Sequence, residues 1–162
     1  MRVSTLSLAL CLSLPLPALA GNPTADCMAE ATTPEAQAAC IGLSAEACRK
    51  RPSTTQPTDV AACYADEHGW WRKRMLTAAE AMKARAEKLD VPYSKQIAAG
   101  MPRLVDDTQI MLDAWQTWAE KRCTFEGMVH RNSPRRMVYA AACHMRLTAE
   151  QTLFLEASAK AN

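Results

Sequence analysis

An all-α fold, a small disulfide-stapled bundle of about four helices, is what this sequence predicts, and three observations predict it. Strand signals are nearly absent, with little alternation and few β-branched runs. Apolar residues recur instead in steps of three and four, the spacing of one helix face. Beyond residue 20 six cysteines remain, and each consecutive pair brackets a helix breaker: "TTPE" lies between Cys27 and Cys40, "RPSTTQPTD" between Cys48 and Cys63, "NSP" between Cys123 and Cys143.

Residues 1–20 read as a cleaved secretory signal peptide. Arg2 supplies the positive start, "VSTLSLALCLSLPLP" the uncharged apolar core, and Ala18-Leu19-Ala20 the small residues before Gly21. Cys11 follows Leu10, where a lipid-anchoring signal needs a small residue, so it reads as an ordinary part of the signal. Residues 21–162 then form a single helical domain, long enough to bury a core. Removing Arg2 leaves 18 basic against 17 acidic residues. That balance argues against nucleic acid as the main partner and gives little long-range steering. No later stretch is long and apolar enough for a membrane span, and the expected location is periplasmic or secreted.

The first predicted helix starts at Thr33-Pro34-Glu35: an N-cap, proline at the first helical position and an acid in the first turn. It weakens near Gly42, resumes after Ser44 and ends before Pro52, with Arg49, Lys50 and Arg51 placed to meet the negative end of the helix dipole. After the polar loop 53–57, Thr58 or Asp59 caps a long helix to about Leu89. Its apolar face runs through Val60, Cys63, Trp71, Met75, Ala78, Met82 and Leu89, with Gly69 as a weak point and "RKR" at 72–74 facing water. Asp90-Val91-Pro92 stops it, and Gly100 and Pro102 mark a turn. A third helix, about 103–128, buries Leu104, Ile110 or Met111, Trp115, Trp118 or Ala119, and Cys123, with Gly127 as its stop. The last helix begins with Ser133 as cap and Pro134 at the first position. It continues through Met137, Val138, Ala141, Cys143 and Leu147, and "TAEQ" at 148–151 fits a capping box that would kink or break it.

An even cysteine count in an exported chain points to disulfides. Fifteen pairings are possible, and the placement of the breaks favours neighbours: 27 with 40, 48 with 63, 123 with 143. Each such bridge would contribute about 3 kcal/mol in the chain-entropy model. A zinc site would need paired or clustered Cys and His at ligand spacing, which the sequence lacks.

Catalysis finds no support. There is no nucleophile elbow, no zinc-protease motif and no Gly-rich phosphate loop, so no cofactor is expected. His68, His130 and His144 are scattered, with no acid spaced to orient them, and Glu120 and Glu126 fall six apart, a poor spacing for a shared face. Eight methionines remain beyond the signal, and His144-Met145 sits beside Cys143, so capture of a soft metal ion is an alternative function. Met75, Met82, Met111 and Met137 fall on apolar helix faces, however, where methionine fills core gaps.

The segment "CTFEGMVHRNSPRRMVYAAAC", residues 123–143, concentrates cations. It reads as a turn stapled by a disulfide, and its exposed side chains, His130, Arg131, Ser133, Arg135 and Arg136, are the candidate contacts for a protein partner. Trp70 joins them as an exposed aromatic beside cations, the kind of residue found in interface hot spots.

Three stretches carry a resemblance to a family. "DCMAEATTPEAQAAC" resembles its opening, two cysteines around a Thr/Pro-started helix. "CYADEHGWW" resembles its Cys, Glu, Trp step, here Cys63, Glu67 and Trp71. The series Trp115, Trp118, Cys123, Cys143, Thr148 and Leu155 resembles its strongest signature. The family is the lysozyme inhibitor LprI-like domain family, small exported helical proteins, and the likeness spans roughly residues 27–156. The chain departs from the pattern at Ala119-Glu120, at Gln151, and at Arg72, Met75 and Leu76, each a place where the family carries other residues. The resemblance implies a non-enzymatic exported binding protein, with a lysozyme as one expected partner and insertion of the "HRNSPRR" loop into the lysozyme cleft as the expected mode. The alternative is an envelope structural or interaction protein without a lysozyme target. The oligomeric state stays open.

Overall fold

Three helix starts in this chain share one grammar, a residue with a side-chain oxygen followed by proline. Asn22 accepts a hydrogen bond from the Ala25 N–H (3.0 Å) and Thr33 from the Ala36 N–H (3.2 Å), with Pro23 and Pro34 next in line. Before Pro57 the device is reversed: the Asp59 carboxylate reaches back to the N–H groups of Thr55 (3.1 Å) and Gln56 (2.9 Å). The first two caps satisfy a first-turn donor of their helix, and Asp59 satisfies the donors just ahead of α4.

The computed structural model describes residues 21–161; the expected signal peptide, residues 1–20, lies outside them. Every regular element among the described residues is helical: α1 (Pro23–Glu30), α2 (Pro34–Ala39), α3 (Leu43–Arg49), α4 (Pro57–Asp90), a 3-10 turn (Val91–Tyr93), α5 (Ser94–Ala98), α6 (Leu104–Val129) and α7 (Arg136–Lys160). None of these helices is long and apolar enough to cross a membrane.

The three long helices form the body. Rising residue numbers on α4 meet rising numbers on α7: the Thr152 hydroxyl lies 3.3 Å from the Trp71 carbonyl, Arg74 pairs with Glu156, and Arg85 donates to the Ser158 carbonyl (3.1 Å). These two helices are therefore parallel, and they share the most extensive contact in the fold. The third, α6, runs antiparallel to both and packs against each. Asp90, at the end of α4, caps the start of α6 through the N–H groups of Leu104 (2.9 Å) and Val105 (3.1 Å), and Cys123–Cys143 ties the far half of α6 to α7.

The short helices brace the first half of α4. Thr24 and Ser44 exchange reciprocal bonds, each backbone N–H donating to the other's hydroxyl at 3.0 Å, so the starts of α1 and α3 cap one another. Cys63, Glu67 and Trp71 are spaced four apart on one buried face of α4. The Glu67 carboxylate accepts from the Gly42 N–H (2.7 Å), the Ala45 N–H (2.8 Å) and the Trp71 indole N–H (3.0 Å). A carboxylate at the start of α3 meets the positive end of that helix, and with three donors its burial is compensated. Gly42 supplies the turn there with φ +94°, a conformation other residues adopt only under strain. Disulfides join Cys27 to Cys40, Cys48 to Cys63 and Cys123 to Cys143. The core gathers around Trp71, which packs with Met28, Cys40, Met145 and Ala149.

Several sequence expectations are corrected. The helix α1 was not among them, although Asn22-Pro23 has the same form as Thr33-Pro34. The last helix starts at Arg136, not after Ser133: the Ser133 hydroxyl accepts from the Arg135 N–H (3.1 Å) within a turn, so it serves the loop rather than the helix. Nor does "TAEQ" break α7. Thr148 and Thr152 are buried, and the Thr152 hydroxyl lies 2.7 Å from the Thr148 carbonyl, keeping both side chains inside a continuous helix. Gly69 does not interrupt α4, and α6 continues two residues past Gly127. Leu89, Leu104 and Met137 are exposed rather than core residues, and Arg74 folds back over the Trp70 ring instead of facing water. On α6 the inward choices are Met111 and Trp115, both half-buried, and Ala119, which is buried; Ile110 and Trp118 are exposed.

Candidate functional site

The turn between α6 and α7 is built by close approach. A Cβ on Gly127 would come to 3.4 Å from both the Ala140 side chain and the Arg136 carbonyl, so glycine lets the end of α6 press against the start of α7. One helical turn before it, Cys123 is bonded to Cys143. Backbone bonds then close the loop: the Ser133 N–H donates to the His130 carbonyl (2.8 Å) and the Arg136 N–H to the Ser133 carbonyl (3.1 Å). His130 stacks on Tyr139 with ring centroids 3.7 Å apart. The loop is thus held at its base, along its backbone and by a stacked ring pair, which lowers the entropy it would lose on binding.

Arg131, Arg135 and Arg136 are exposed around this turn, and Ser133 and His130 are half-buried. Five of the six sequence-predicted contacts therefore lie together. Trp70 does not join them: it sits on α4 against the Trp71 core, edge-on to the Trp71 ring at 4.6 Å, with Arg74 over its face. Two further groups stand beside the turn. A cleft of about 160 Å³ opens between the starts of α4 and α7, and Arg49 from α3 and Tyr64 from α4 line it together with Arg135. Burial, and next the Glu46 carboxylate, raise the Tyr64 hydroxyl above its ordinary pKa, so Tyr64 stays a neutral donor. The turn and this cleft offer cations, an O–H donor and aromatic surface, a combination that suits carboxylate groups on a protein partner. Proximity across helices is the information that spacing along one helix lacks: in the sequence Arg49 reads as a helix-end cation, and Tyr64 carries no signal.

A second cleft, about 200 Å³, lies where the three long helices meet. It brings together His68 from α4 and His144 from α7, their ring centroids 5.9 Å apart, with Arg72 and Glu120 on its walls. These two histidines are not scattered as their positions in the chain suggest. Among the described residues no group of three or more His, Cys, Asp or Glu is arranged to hold a metal ion.

Comparison with known proteins agrees with the resemblance. The family described as "Lysozyme inhibitor LprI" matches residues 48–155, a range that holds the Cys63, Glu67, Trp71 step and the Trp115-to-Leu155 signature and leaves Cys27–Cys40 outside it. A protein of Rhodobacter capsulatus, described as an uncharacterized 17.7 kDa protein in the puhA 5' region, is 64% identical over 160 residues, covering 99% of each chain. No solved structure matches.

Proposed function

We propose, from the premise that this chain belongs to the lysozyme inhibitor LprI family, that it is a non-enzymatic binding protein of an extracytoplasmic compartment and that its partner is a lysozyme. The family match is the observation that carries this reading. Three disulfides fit an oxidising compartment, the periplasm or the exterior, and agree with residues 1–20 as an export signal and 21–162 as the mature domain.

The turn supports a mode of action. Lysozymes work with two carboxyl groups flanking the scissile bond in a cleft. Arg131, Arg135 and Arg136, held on a preordered turn with Arg49 nearby, would meet those carboxylates with charge-assisted hydrogen bonds, while Ser133 and the His130–Tyr139 stack fill space at the cleft mouth. The net charge is nearly balanced, so recognition rests on local contacts rather than on long-range attraction.

The test is a muramidase assay on cell-wall substrate with the oxidised mature protein added. Inhibition that saturates at a fixed molar ratio supports the proposal. A large molar excess that leaves several lysozyme types fully active would overturn it.

A further inference from the structure

Helix α6 has two apolar faces. One, through Thr108, Ala119 and Cys123, is buried against α4 and α7. On the side turned away from that core, Ile110 (64% exposed), Trp118 (50%), Phe125 (65%) and Met128 (54%) are open to solvent, and Ala114 is exposed among them. Asp107, Ala114, Trp118, Lys121, Phe125 and Met128 advance in steps of three, four or seven, the seam spacing of a helix that packs on another helix. A monomer rarely leaves more than about 300–600 Å² of contiguous apolar surface uncovered. A seam about 30 Å long on a helix about 10 Å wide presents about 300 Å² on each copy, the scale of a weak, reversible pairing rather than the about 800 Å² per partner of a stable one.

Charge selects the occupant. Asp107 and Lys121 lie on this outer seam, and among the described residues neither has an ion-pair partner within the chain. They stand fourteen residues apart, about 21 Å along the helix, with Ala114 midway. We infer that this seam pairs with the same seam of a second copy, the two α6 helices antiparallel and crossing at Ala114. About that centre Asp107 of each copy meets Lys121 of the other, Ile110 meets Trp118, and the small Ala114 side chain allows close approach; Phe125 comes opposite Arg103 at the start of the facing helix, and Met128 lies beyond the overlap. A parallel pairing would place Asp107 on Asp107 and Lys121 on Lys121, which like-charge repulsion opposes. The antiparallel dimer carries its two α6–α7 turns at opposite ends, both free.

Sedimentation velocity on the oxidised mature protein tests this. The expected result is a dimer at about 100 µM, with dissociation of the Trp118→Glu variant to a monomer of unchanged helical circular dichroism. Lys121→Glu should weaken dimerisation about tenfold or more, and the double variant Asp107→Lys/Lys121→Glu should restore it. A monomer at that concentration, a Lys121→Glu variant that pairs as well as the parent, or a double variant that stays weak would each overturn the pairing. Inhibition of lysozyme is read separately: a monomeric inhibitor would remove the dimer and keep the proposed function, and an inactive dimer would do the reverse.

Discussion

His68 on α4 and His144 on α7 face one another across the central cleft, ring centroids 5.9 Å apart, with Arg72 beside them and Glu120 opposite. Burial first, then His144, then Arg72 hold the His68 imidazole below its ordinary value of 6.5. The folded state thus takes up the proton less readily than the unfolded chain, and unfolding gains protons as the pH drops. Stability present at neutral pH should be lost progressively as pH falls below about 6.5, down to the depressed folded value. Thermal unfolding followed by circular dichroism should give a lower Tm at pH 5 than at pH 7, and His68→Gln should reduce that difference. An equal pH slope in the variant would place the effect elsewhere.

Glu67→Gln replaces one acceptor oxygen with an amide that faces a backbone donor. The start of α3 would keep a buried N–H without a partner. The expected loss is about 2–3 kcal/mol, read by urea denaturation, with little change in helix content away from α3.

Removing the Cys123–Cys143 bridge in a Cys123→Ser/Cys143→Ser variant should cost about 3 kcal/mol of stability. Its effect on lysozyme inhibition should exceed what the unfolded fraction explains, because the α6–α7 turn loses its lower anchor. Inhibition measured well below the variant's Tm separates the two effects.

Arg135→Ala and Arg136→Ala together should weaken inhibition by about tenfold to a hundredfold, the loss of one or two charge-assisted contacts. Both side chains are exposed and lie outside the core, so Tm should move by no more than a degree or two. A double variant that inhibits as well as the parent would move the contact away from the turn.

Much of the fold was legible because its punctuation is local. Thr33-Pro34 carries its meaning within a few residues, and the long helices follow from spacing alone, whereas the role of Glu67 under the start of α3 depends on residues more than twenty positions away. What the sequence hid is mostly a matter of faces. Ile110 and Met111 are both apolar and adjacent, as are Trp118 and Ala119, and a helix covered on one side only has no pattern that says which member turns inward. The Ser133-Pro134 start failed for a related reason: a serine before proline caps a helix or closes a turn with the same atoms, and here Arg135 takes its hydroxyl. For the candidate site, the turn and its arginines were readable, whereas Arg49, Tyr64 and the His68–His144 pair required the tertiary fold.

The parallel pairing of α4 with α7 has a kinetic consequence. The fold's most extensive contact joins helices about 80 residues apart in sequence (Trp71 with Thr152, Arg74 with Glu156), and contacts so distant slow folding because the intervening chain must first be brought together. Under the proposed export, with the N-terminus leading, the 27–40 and 48–63 bridges can form before α7 has emerged. The body of the protein would consolidate only on release of the last helix. Loss of residues beyond about 145 would therefore leave an oxidised N-terminal third attached to an unfolded remainder, rather than a slightly weakened bundle.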